Sequence, residues 1–422
     1  MLPREQSILY NWIMELLAPA GNLEKLKTAV RFGANAVYCG GGSFSLRAAD
    51  TSFNLEELAE GVGFAHQHGC RVYLALNIFP FDNDFSGMED YLKQAVLLGI
   101  DAVIISDPGV LSMVCSLNSG VRIHLSTQAN TTNSRSARFW YEQGVDRIVL
   151  ARELSLDRVA AIKEAVPGLE LEIFIHGAMC MSYSGRCLLS SFLSNRSANR
   201  GLCSQPCRWD YAIREVKRNE ELTLSEDTRG TYILNSRDLC MIDHIPEIAD
   251  TGIDSVKIEG RMKTAYYVAA TTRVYRAAID RYKDSGRLYA VDPQWLEELK
   301  KVSHRPYTTG FYLPDLQDQT EETGDSAYIR EYDFVGKVEN HDLETGLIRV
   351  NARNRLSPGE MVEILDPLNP EVVKLYVQKI TSADTGQNLT AAHNSYRVDL
   401  KSTADLCKPI SSESILRRKC ND

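Results

Sequence analysis

Residues 71–106 begin with the apolar run RVYLALN (71–77), continue through a helix-length segment that stops at Gly99, and end with a second run, AVIIS (102–106). Both runs are short and mostly apolar, as is typical of strands that are buried on both faces of a parallel sheet. A glycine after a helix-length segment is a common stop signal. The pattern therefore predicts a strand, a helix and a second strand of the α/β class.

The same alternation extends over the first two thirds of the chain. Eight runs have strand character: Ile13–Ala18, Ala36–Cys39, Arg71–Asn77, Ala102–Ser106, Arg122–Thr127, Arg147–Ala151, Leu169–His176 and Asp254–Glu259. Asn22 and Asn54 are placed as N-caps of the segments between them. Eight strands, each followed by a helix, predict a TIM-like (β/α)8 barrel with a Cys-rich insertion after the seventh strand. A doubly wound open sheet is the alternative, because the rhythm does not show whether the sheet closes.

The last third of the chain has a different character. A long helix at about 264–283 is followed by a proline-containing linker and then by short alternating runs with turns such as Ser357-Pro358-Gly359. These signals predict a small all-β domain. The expected organisation is an N-terminal extension at 1–12, a catalytic barrel at 13–285 with a Cys-rich segment at 178–240, a linker at 286–330, a small β-barrel domain at 331–410 and a tail at 411–422.

The composition is that of an ordinary globular protein. Apolar residues make up 44% and charged residues 24% of the 422 residues, which excludes a disordered or low-complexity chain. No run approaches the ~18 consecutive apolar residues of a membrane helix, and the first residues lack a signal-peptide core. We therefore expect a cytoplasmic protein without a membrane partner. The net charge of −9 argues against a protein that coats nucleic acid nonspecifically.

Half of the ten cysteines fall within one segment. Cys180 and Cys187 are seven residues apart, Cys203 and Cys207 are four apart, and Cys240 follows. A zinc ribbon needs two tight cysteine knuckles, whereas only Cys203 and Cys207 form one. An all-thiolate set with uneven spacing suits an iron–sulfur cluster better, and a [4Fe–4S] cluster takes four cysteines. Buried, unreactive thiols are the remaining alternative.

The same segment concentrates positive charge. Between residues 180 and 218, seven arginine and lysine side chains, Arg186 and Arg208 among them, stand against two acidic ones. This net charge of +5 leaves −14 for the rest of a chain whose total is −9. An anionic partner such as RNA is drawn to such a face, and Trp209 and Tyr211 are available to stack on a base. A solvated basic loop is the alternative interpretation.

Several blocks of the sequence resemble peptidase family U32. The family signature is similar to EIFIHGAMC at 172–180 together with GRCLLS at 185–190. Further similar blocks, in order along the chain, are ELLAPAG (15–21), GANAVY (33–38), RGLCSQPCR (200–208), LNSRDL (234–239) and SVKIEGR (255–261). The resemblance covers about residues 13–285 and, more loosely, the β domain.

Despite its name, the family implies oxygen-independent hydroxylation supported by a [4Fe–4S] cluster. The branch with a short β domain after the barrel implies formation of 5-hydroxyuridine at the wobble position of tRNA, with prephenate as the hydroxyl source. By this resemblance the cluster ligands are Cys180, Cys187, Cys203 and Cys207, with Cys240 as an alternative ligand. It further implies tRNA as a partner, bound through the basic Cys-rich segment, and prephenate, a small dicarboxylate, as co-substrate. The sequence does not identify a partner protein.

A dicarboxylate donor and an RNA phosphate both need cations at the rim of the barrel. Lys257 on the eighth strand and Arg261 just beyond it are candidate catalytic residues. Arg47 after the second strand is a candidate for substrate binding, as are Arg186 and Arg208 of the Cys-rich segment. Solvated or structurally paired cations are the alternative interpretation.

Polar residues also follow the fifth strand. His124, Ser126 and Gln128 share one face by alternation, and Asn130 lies farther along the loop. Polar side chains that point into a barrel rim are costly unless they meet a ligand or one another. We therefore interpret His124 as catalytic and the other three as substrate-binding residues.

Two further candidates lie at the ends of the last strands. His176 ends the seventh strand near Cys180 and is expected to relay a proton. Glu259, close to Arg261, is expected to bind substrate or simply to pair with that arginine.

Three other activities compete with hydroxylation of tRNA. In a collagenase-like cysteine peptidase, His176 and Cys180 would serve as base and nucleophile, but no third orienting group is evident. Hydroxylation of a ribosomal RNA base or of a ubiquinone precursor would use the same barrel and cluster.

Overall fold

The computed structural model describes residues 14–46, 52–180, 182–183, 186–206, 237–313, 328–402 and 408–420, together with four two-residue strands between 214 and 231. Arg47, Cys207 and Arg208, which the sequence nominates for the site, lie outside the described residues, as do Trp209 and Tyr211. Among the helices of the described residues, none combines the length and apolar character needed to cross a bilayer.

The first two thirds of the chain form a closed barrel of eight parallel strands. These are β1 (Glu15–Ala20), β2 (Ala36–Gly41), β3 (Arg71–Leu76), β4 (Ala102–Ile105), β5 (Arg122–Leu125), β6 (Arg147–Val149), β7 (Glu170–Ala178) and β8 (Ser255–Ile258). Each strand pairs with the next, and β8 pairs with both β7 and β1, which closes the sheet. The predicted (β/α)8 barrel is therefore confirmed, and the open-sheet alternative is wrong.

Most of the described helices cover the outside of the barrel, whereas the short helix Leu189–Ser194 belongs to the Cys-rich segment. In chain order they are α1 (Leu23–Arg31), α2 (Leu55–Gln67), α3 (Phe85–Leu97), α4 (Pro108–Ser116), α5 (Ser134–Glu142), α6 (Leu156–Ala165), α7 (Leu189–Ser194), α8 (Ile245–Asp250), α9 (Ala265–Ser285) and α10 (Pro293–Lys300). The Asn22 side chain accepts a hydrogen bond from the Lys25 amide at 2.9 Å, and Asn54 forms a capping box with Glu57. These caps satisfy amides that the first helical turn leaves unpaired.

Strand β7 carries an irregularity that matters for the site. Phe174 pairs with Lys257 of β8, but the next pair is His176 with Ile258, so Ile175 is an extra residue in β7. A bulge of this kind reverses which face of the strand the following side chains occupy. Gly177 follows with a φ of +102°, and a Cβ there would lie 2.5 Å from the backbone oxygen of Glu259. Glycine is therefore required at this crossing.

The C-terminal residues form an antiparallel sheet of seven strands. These are β9 (Tyr332–Asp342), β10 (Leu347–Ala352), β11 (Met361–Leu365), β12 (Val373–Ser382), β13 (Asn388–Leu389), β14 (Arg397–Ser402) and β15 (Ile415–Lys419). The all-β domain is thus confirmed, but the expected tail at 411–422 is wrong in part. Strand β15 pairs with both β9 and β11, and Ile415 and Leu416 are fully buried.

The expected linker at 286–330 is also partly structured. Helix α10 begins with Pro293 directly after the Asp292 cap, a position where the missing N–H of proline costs nothing. Trp295 and Leu299 of this helix belong to the barrel core, and the strand Tyr307–Thr308 pairs with Asp238–Cys240 beside β7. The described part of this proline-containing stretch therefore packs against the barrel.

Buried charge fixes the β domain against α10. The Arg417 side chain of β15 is fully buried, and its two terminal nitrogens lie 2.7 Å from Glu298 of α10 and 2.7 Å from Glu363 of β11. Both carboxylates therefore neutralise one guanidinium at the junction.

Candidate active site at the barrel rim

A cavity of about 180 Å³ opens at the carboxyl ends of the barrel strands. This rim cavity has an apolar floor that includes Ile104 and Phe174, with polar and charged side chains around it. In barrel enzymes the loops at this end of the strands carry the chemistry. Its volume lies below the ~300 Å³ at which sites for drug-sized molecules begin, so it suits a small ligand.

Of the four clustered cysteines that the structure describes, three line the rim cavity. Cys180 follows β7, while Cys187 and Cys203 lie on either side of α7. The Cys203 sulfur accepts a hydrogen bond from the Gln205 amide at 3.4 Å, and the Cys187 amide is held by Asn199 at 3.1 Å. Residues 186–206 thus lie over the mouth of the barrel, with Cys187 and Cys203 at the cavity.

These cysteines alone do not complete a metal site. Within the described part of the chain, no three His, Cys, Asp or Glu side chains are grouped closely enough to hold a metal ion. Pro206 lines the cavity, and Cys207, the fourth cysteine of the expected set, is the next residue in the sequence.

Cys240 occupies a different place. It lies in the strand Asp238–Cys240, is 8% exposed and is not among the residues that line the rim cavity. Its sulfur accepts a long hydrogen bond of 3.9 Å from the Tyr275 hydroxyl. Burial raises the pKa of this thiol to about 11, so it is protonated at neutral pH. The structure therefore does not place Cys240 in the cavity that Cys180, Cys187 and Cys203 line.

Lys257 of β8 lines the cavity, and an ion pair with Glu172 holds its side chain in place. Its ammonium lies 3.1 Å from a carboxylate oxygen of Glu172 and 4.3 Å from the centre of the Tyr38 ring. Glu172 is 1% exposed and also accepts from Arg147 at 3.2 Å and from Ser255 at 3.0 Å. Burial alone would raise the pKa of Glu172, but Lys257 and Arg147 outweigh it and hold that pKa below its usual range. The carboxylate is therefore charged and fixes the lysine.

Arg261 lines the same cavity from the loop after β8. It is 5% exposed, and its guanidinium donates to the Ser45 hydroxyl at 3.3 Å and to the backbone oxygen of Leu46. These contacts tie the loop after β8 to the loop after β2, the loop that continues into Arg47.

Arg152 is a lining residue that sequence reasoning missed. It follows β6, donates to the Ala178 backbone oxygen at 3.2 Å and lies over the Phe174 ring at 3.9 Å. Its guanidinium is 3.6 Å from the carboxylate of Glu259, so Glu259 has Arg152 as an ion-pair partner. The available signal was a charged residue just beyond the sixth apolar run, as Arg261 lies just beyond the eighth.

An amide and hydroxyl network forms another wall. The Asn77 amide donates to the Gln128 side-chain oxygen at 2.8 Å, and the Ser126 hydroxyl donates to the same oxygen at 3.0 Å. All three residues line the cavity, and Asn77 was not among the sequence candidates. Asn130 does not line it; this residue has a left-handed φ of 60° and ends the turn Thr127–Ala129.

Neither candidate histidine lines the cavity. His124 points into the barrel below it, packs edge-on against Tyr73 at 4.6 Å and has no hydrogen-bond partner for either ring nitrogen among the described residues. Burial, reinforced by Arg147 and other cations, lowers the pKa of His124 well below its usual value. The imidazole is therefore neutral at physiological pH.

His176 faces the helices because of the bulge in β7. Its ring is surrounded by Tyr267, Tyr275 and Tyr307, and the Tyr275 hydroxyl lies 3.3 Å from Nδ1. Burial, with smaller effects of Lys263 and His304, lowers the pKa of His176 to about 3. The structure does not bring this histidine to the cavity beside Cys180.

Part of the basic segment is used to dock it on the barrel. Arg200 forms a two-pronged ion pair with Asp84 at 2.8 and 3.0 Å, and Arg186 donates to the Gln128 backbone oxygen at 2.8 Å. Paired guanidinium contacts of this kind fix orientation as well as charge. The arginines that were expected to attract an anion therefore also hold the cysteines over the rim.

Comparison with known families identifies the chain's relatives. The model described as "Peptidase family U32" matches residues 21–322, and "Peptidase family U32 C-terminal domain" matches residues 330–417. The chain belongs to peptidase family U32. Both matched ranges agree with the division into a barrel and a β domain.

Curated U32 relatives carry several names. The "tRNA hydroxylation protein P1" of Bacillus subtilis is 42% identical over 84% of this chain and 83% of its own length. The "tRNA hydroxylation protein P" of Escherichia coli is 38% identical over 84% of this chain and 86% of its own length. A "Collagenase" of Porphyromonas gingivalis is 32% identical over 89% of this chain and 94% of its own length.

Proposed function

We propose that this U32 member is a tRNA-modifying enzyme that hydroxylates uridine, forming 5-hydroxyuridine at the wobble position without molecular oxygen. One observation carries the proposal: Cys180, Cys187 and Cys203 line the same small cavity as Lys257 and Arg261, at the catalytic end of the barrel. Thiols beside cations are suited to a metal centre next to an anionic ligand. The names of the relatives from B. subtilis and E. coli support tRNA as the substrate.

The cofactor in this proposal is a [4Fe–4S] cluster held by Cys180, Cys187, Cys203 and Cys207. The donor chemistry fits, because three of these thiols line one cavity and Gln205 donates an N–H to the Cys203 sulfur. Hydrogen bonds to ligating sulfurs are a usual feature of such sites. When bound, a cluster of this type supplies Lewis-acid or electron-transfer chemistry.

Prephenate is the proposed hydroxyl donor, and its two carboxylates need the cations of the rim cavity. Lys257, held by Glu172, and Arg261, held by Ser45, are fixed before any ligand arrives. Such preorganisation lowers the entropic cost of binding. Gln128 and Asn77 would orient the donor's polar groups, and the apolar floor around Phe174 would exclude water from beneath it.

The tRNA is proposed to approach from the side of the basic Cys-rich segment. A net charge of +5 between residues 180 and 218 would attract its phosphates. Because Arg186 and Arg200 hold residues 186–206 of this segment against the barrel, RNA bound there would lie over the cavity.

The proposal is tested by anaerobic purification with iron and sulfide determination. We expect about four irons and four sulfides per chain for the wild type, and loss of both in Cys203→Ala. Cys115→Ala is the matched control, because Cys115 is an exposed cysteine of α4 outside the rim cavity. A protein that holds one zinc and no iron would contradict the cluster.

A peptidase activity is the second candidate, since one relative is named a collagenase. The geometry gives it little support, because His176 faces Tyr275 in the helix layer and does not line the cavity with Cys180. Cleavage of gelatin by metal-free protein, abolished by Cys180→Ala, would favour this function over hydroxylation.

A further inference from the structure

A second cavity lies between the barrel rim and the β domain. This interdomain cleft has a volume of about 440 Å³. Its walls come from the loop after β8, the start of α9 and the residues that lead into β9. The proposed function gives this cleft no role.

The interdomain cleft and the rim cavity share a wall. Ala178, Gln205 and Glu259 line both of them. The two spaces are therefore neighbours, and a ligand with two connected units that passes over these three residues would reach both. Small donors have no such second unit, whereas an RNA strand has one on either side of the base that reacts.

The cleft is lined by aromatic rings and cations. Tyr328 is 41% exposed, and the Lys263 ammonium lies 4.5 Å from the centre of its ring. Arg330 adds a guanidinium to the wall, whereas Arg305, which contacts the same ring at 5.2 Å, is buried and is not among the lining residues. Exposed aromatic rings beside cations are the usual means of holding single-stranded nucleotides, since the ring stacks on a base and the cations attract phosphate.

Tyr328 is held in place by the fold. The neighbouring residue Ile329 forms a two-way backbone bridge with His304, at 2.8 and 3.2 Å. Arg330 is paired with Asp333 at 2.6 Å, which restrains the next turn of the chain. A stacking platform that is fixed before binding loses little conformational entropy on binding.

We propose that the interdomain cleft binds the nucleotide next to the target uridine, with its base on Tyr328 and its phosphate near Lys263. This inference rests on the proposed function, because it requires an RNA whose target base occupies the rim cavity. A base must leave its stack to reach such a cavity, and a neighbouring site that captures the adjacent base offsets part of that cost. The β domain would thus contribute to substrate selection.

The test measures binding of an anticodon stem-loop RNA to the anaerobically purified full chain at fixed salt concentration. Tyr328→Ala is expected to weaken binding about ten-fold, whereas Tyr328→Phe, which keeps the ring, should stay within about two-fold of the wild type. Lys263→Gln should reduce the salt dependence by about one ion. Tyr376→Ala is the matched control, since Tyr376 of β12 is 43% exposed and lies outside the cleft.

A second measurement locates the nucleotide directly. The same RNA with 4-thiouridine beside the target position should crosslink to Tyr328 or Lys263. Equal affinity of wild type and Tyr328→Ala, with crosslinks elsewhere on the surface, would overturn the inference while leaving tRNA hydroxylation intact. Failure of the wild type to bind this RNA at all would overturn the proposed function as well.

Discussion

Replacing Glu172 by glutamine should destabilise the barrel and disturb the active site together. Glu172 is 1% exposed and contacts Lys257 at 3.1 Å, Arg147 at 3.2 Å and Ser255 at 3.0 Å. Glutamine keeps the shape of the side chain but removes its charge. Arg147 retains Glu15 at 2.5 Å and Glu170 at 2.8 Å, so the greater loss falls on Lys257.

The expected cost is about 3–5 kcal/mol, the range for removing one partner of a buried ion pair. This corresponds to a fall in Tm of about 5–15 °C for a barrel of this size. Glu170→Gln is the control, because Glu170 contacts the same Arg147 but its side chain is 32% exposed. Its loss should cost about 1 kcal/mol or less.

The acid dependence of stability provides an independent check. A carboxyl whose pKa is lower in the folded than in the unfolded state stabilises the fold above its unfolded pKa, and Glu172 is such a group. Its contribution is lost as the pH falls below the ordinary value of 4.5. Urea denaturation at several pH values should therefore show a smaller loss of stability in acid for Glu172→Gln than for the wild type.

The Glu172 result can refute the account of the barrel interior. Equal stability of Glu172→Gln and Glu170→Gln at neutral pH would mean that the buried carboxylate does not hold Lys257. We also expect the variant to bind prephenate more weakly, since Lys257 would lose its anchor at the cavity floor.

Three further predictions concern single side chains. His176→Gln should lower Tm but leave the shape of the pH–rate profile between pH 5 and 8 unchanged, because burial lowers the pKa of His176 to about 3. Loss of the acid limb of that profile in the variant would contradict this prediction. Cys240→Ala should retain its iron, as measured by iron content, because Cys240 is buried outside the rim cavity; an iron-free protein would make it a ligand. Arg417→Ala should lower the free energy of unfolding by about 3–5 kcal/mol and expose the junction between the domains to limited proteolysis. The control Arg397→Ala, at an exposed side chain, should lower it by about 1 kcal/mol or less, and equal resistance of both variants to the protease would contradict the role of Arg417.

The sequence was sufficient to predict the eight strands and the helices between them because these signals are local, whereas closure of the sheet depends on the pairing of β1 with the distant β8. Short apolar runs and caps such as Asn22 and Asn54 depend on neighbouring residues only, and each predicted run corresponds to a barrel strand. The predicted strands also located Lys257 and Arg261 at the rim, since the carboxyl ends of parallel strands meet at one edge of the barrel.

The placement of the histidines required three-dimensional information. A single extra residue, Ile175, turns His176 toward the helices, and no composition signal marks such a bulge. His124 shares its strand face with Ser126, as alternation predicts, but it packs against the buried Tyr73 and is not among the residues that line the cavity. Depth along a strand depends on the register between strands, which the sequence of one strand does not contain.

The domain boundaries failed for a similar reason. Strand β15 completes a sheet whose partners β9 and β11 are 50 or more residues away along the chain. Its residues, ILRRK, include the buried Ile415 and Leu416. They also include Arg417, which is buried because Glu298 and Glu363 form ion pairs with it. A charged strand of this kind looks like a solvated tail until its partners are known.

The most direct test is nucleoside analysis of tRNA from cells that lack this gene and carry either the wild-type chain or Cys203→Ala. We predict that 5-hydroxyuridine and its derivatives return with the wild type and with the Cys115→Ala control, and remain missing with Cys203→Ala. Equal levels of these nucleosides in all strains, with and without the gene, would contradict the proposal that this cysteine-lined cavity hydroxylates tRNA.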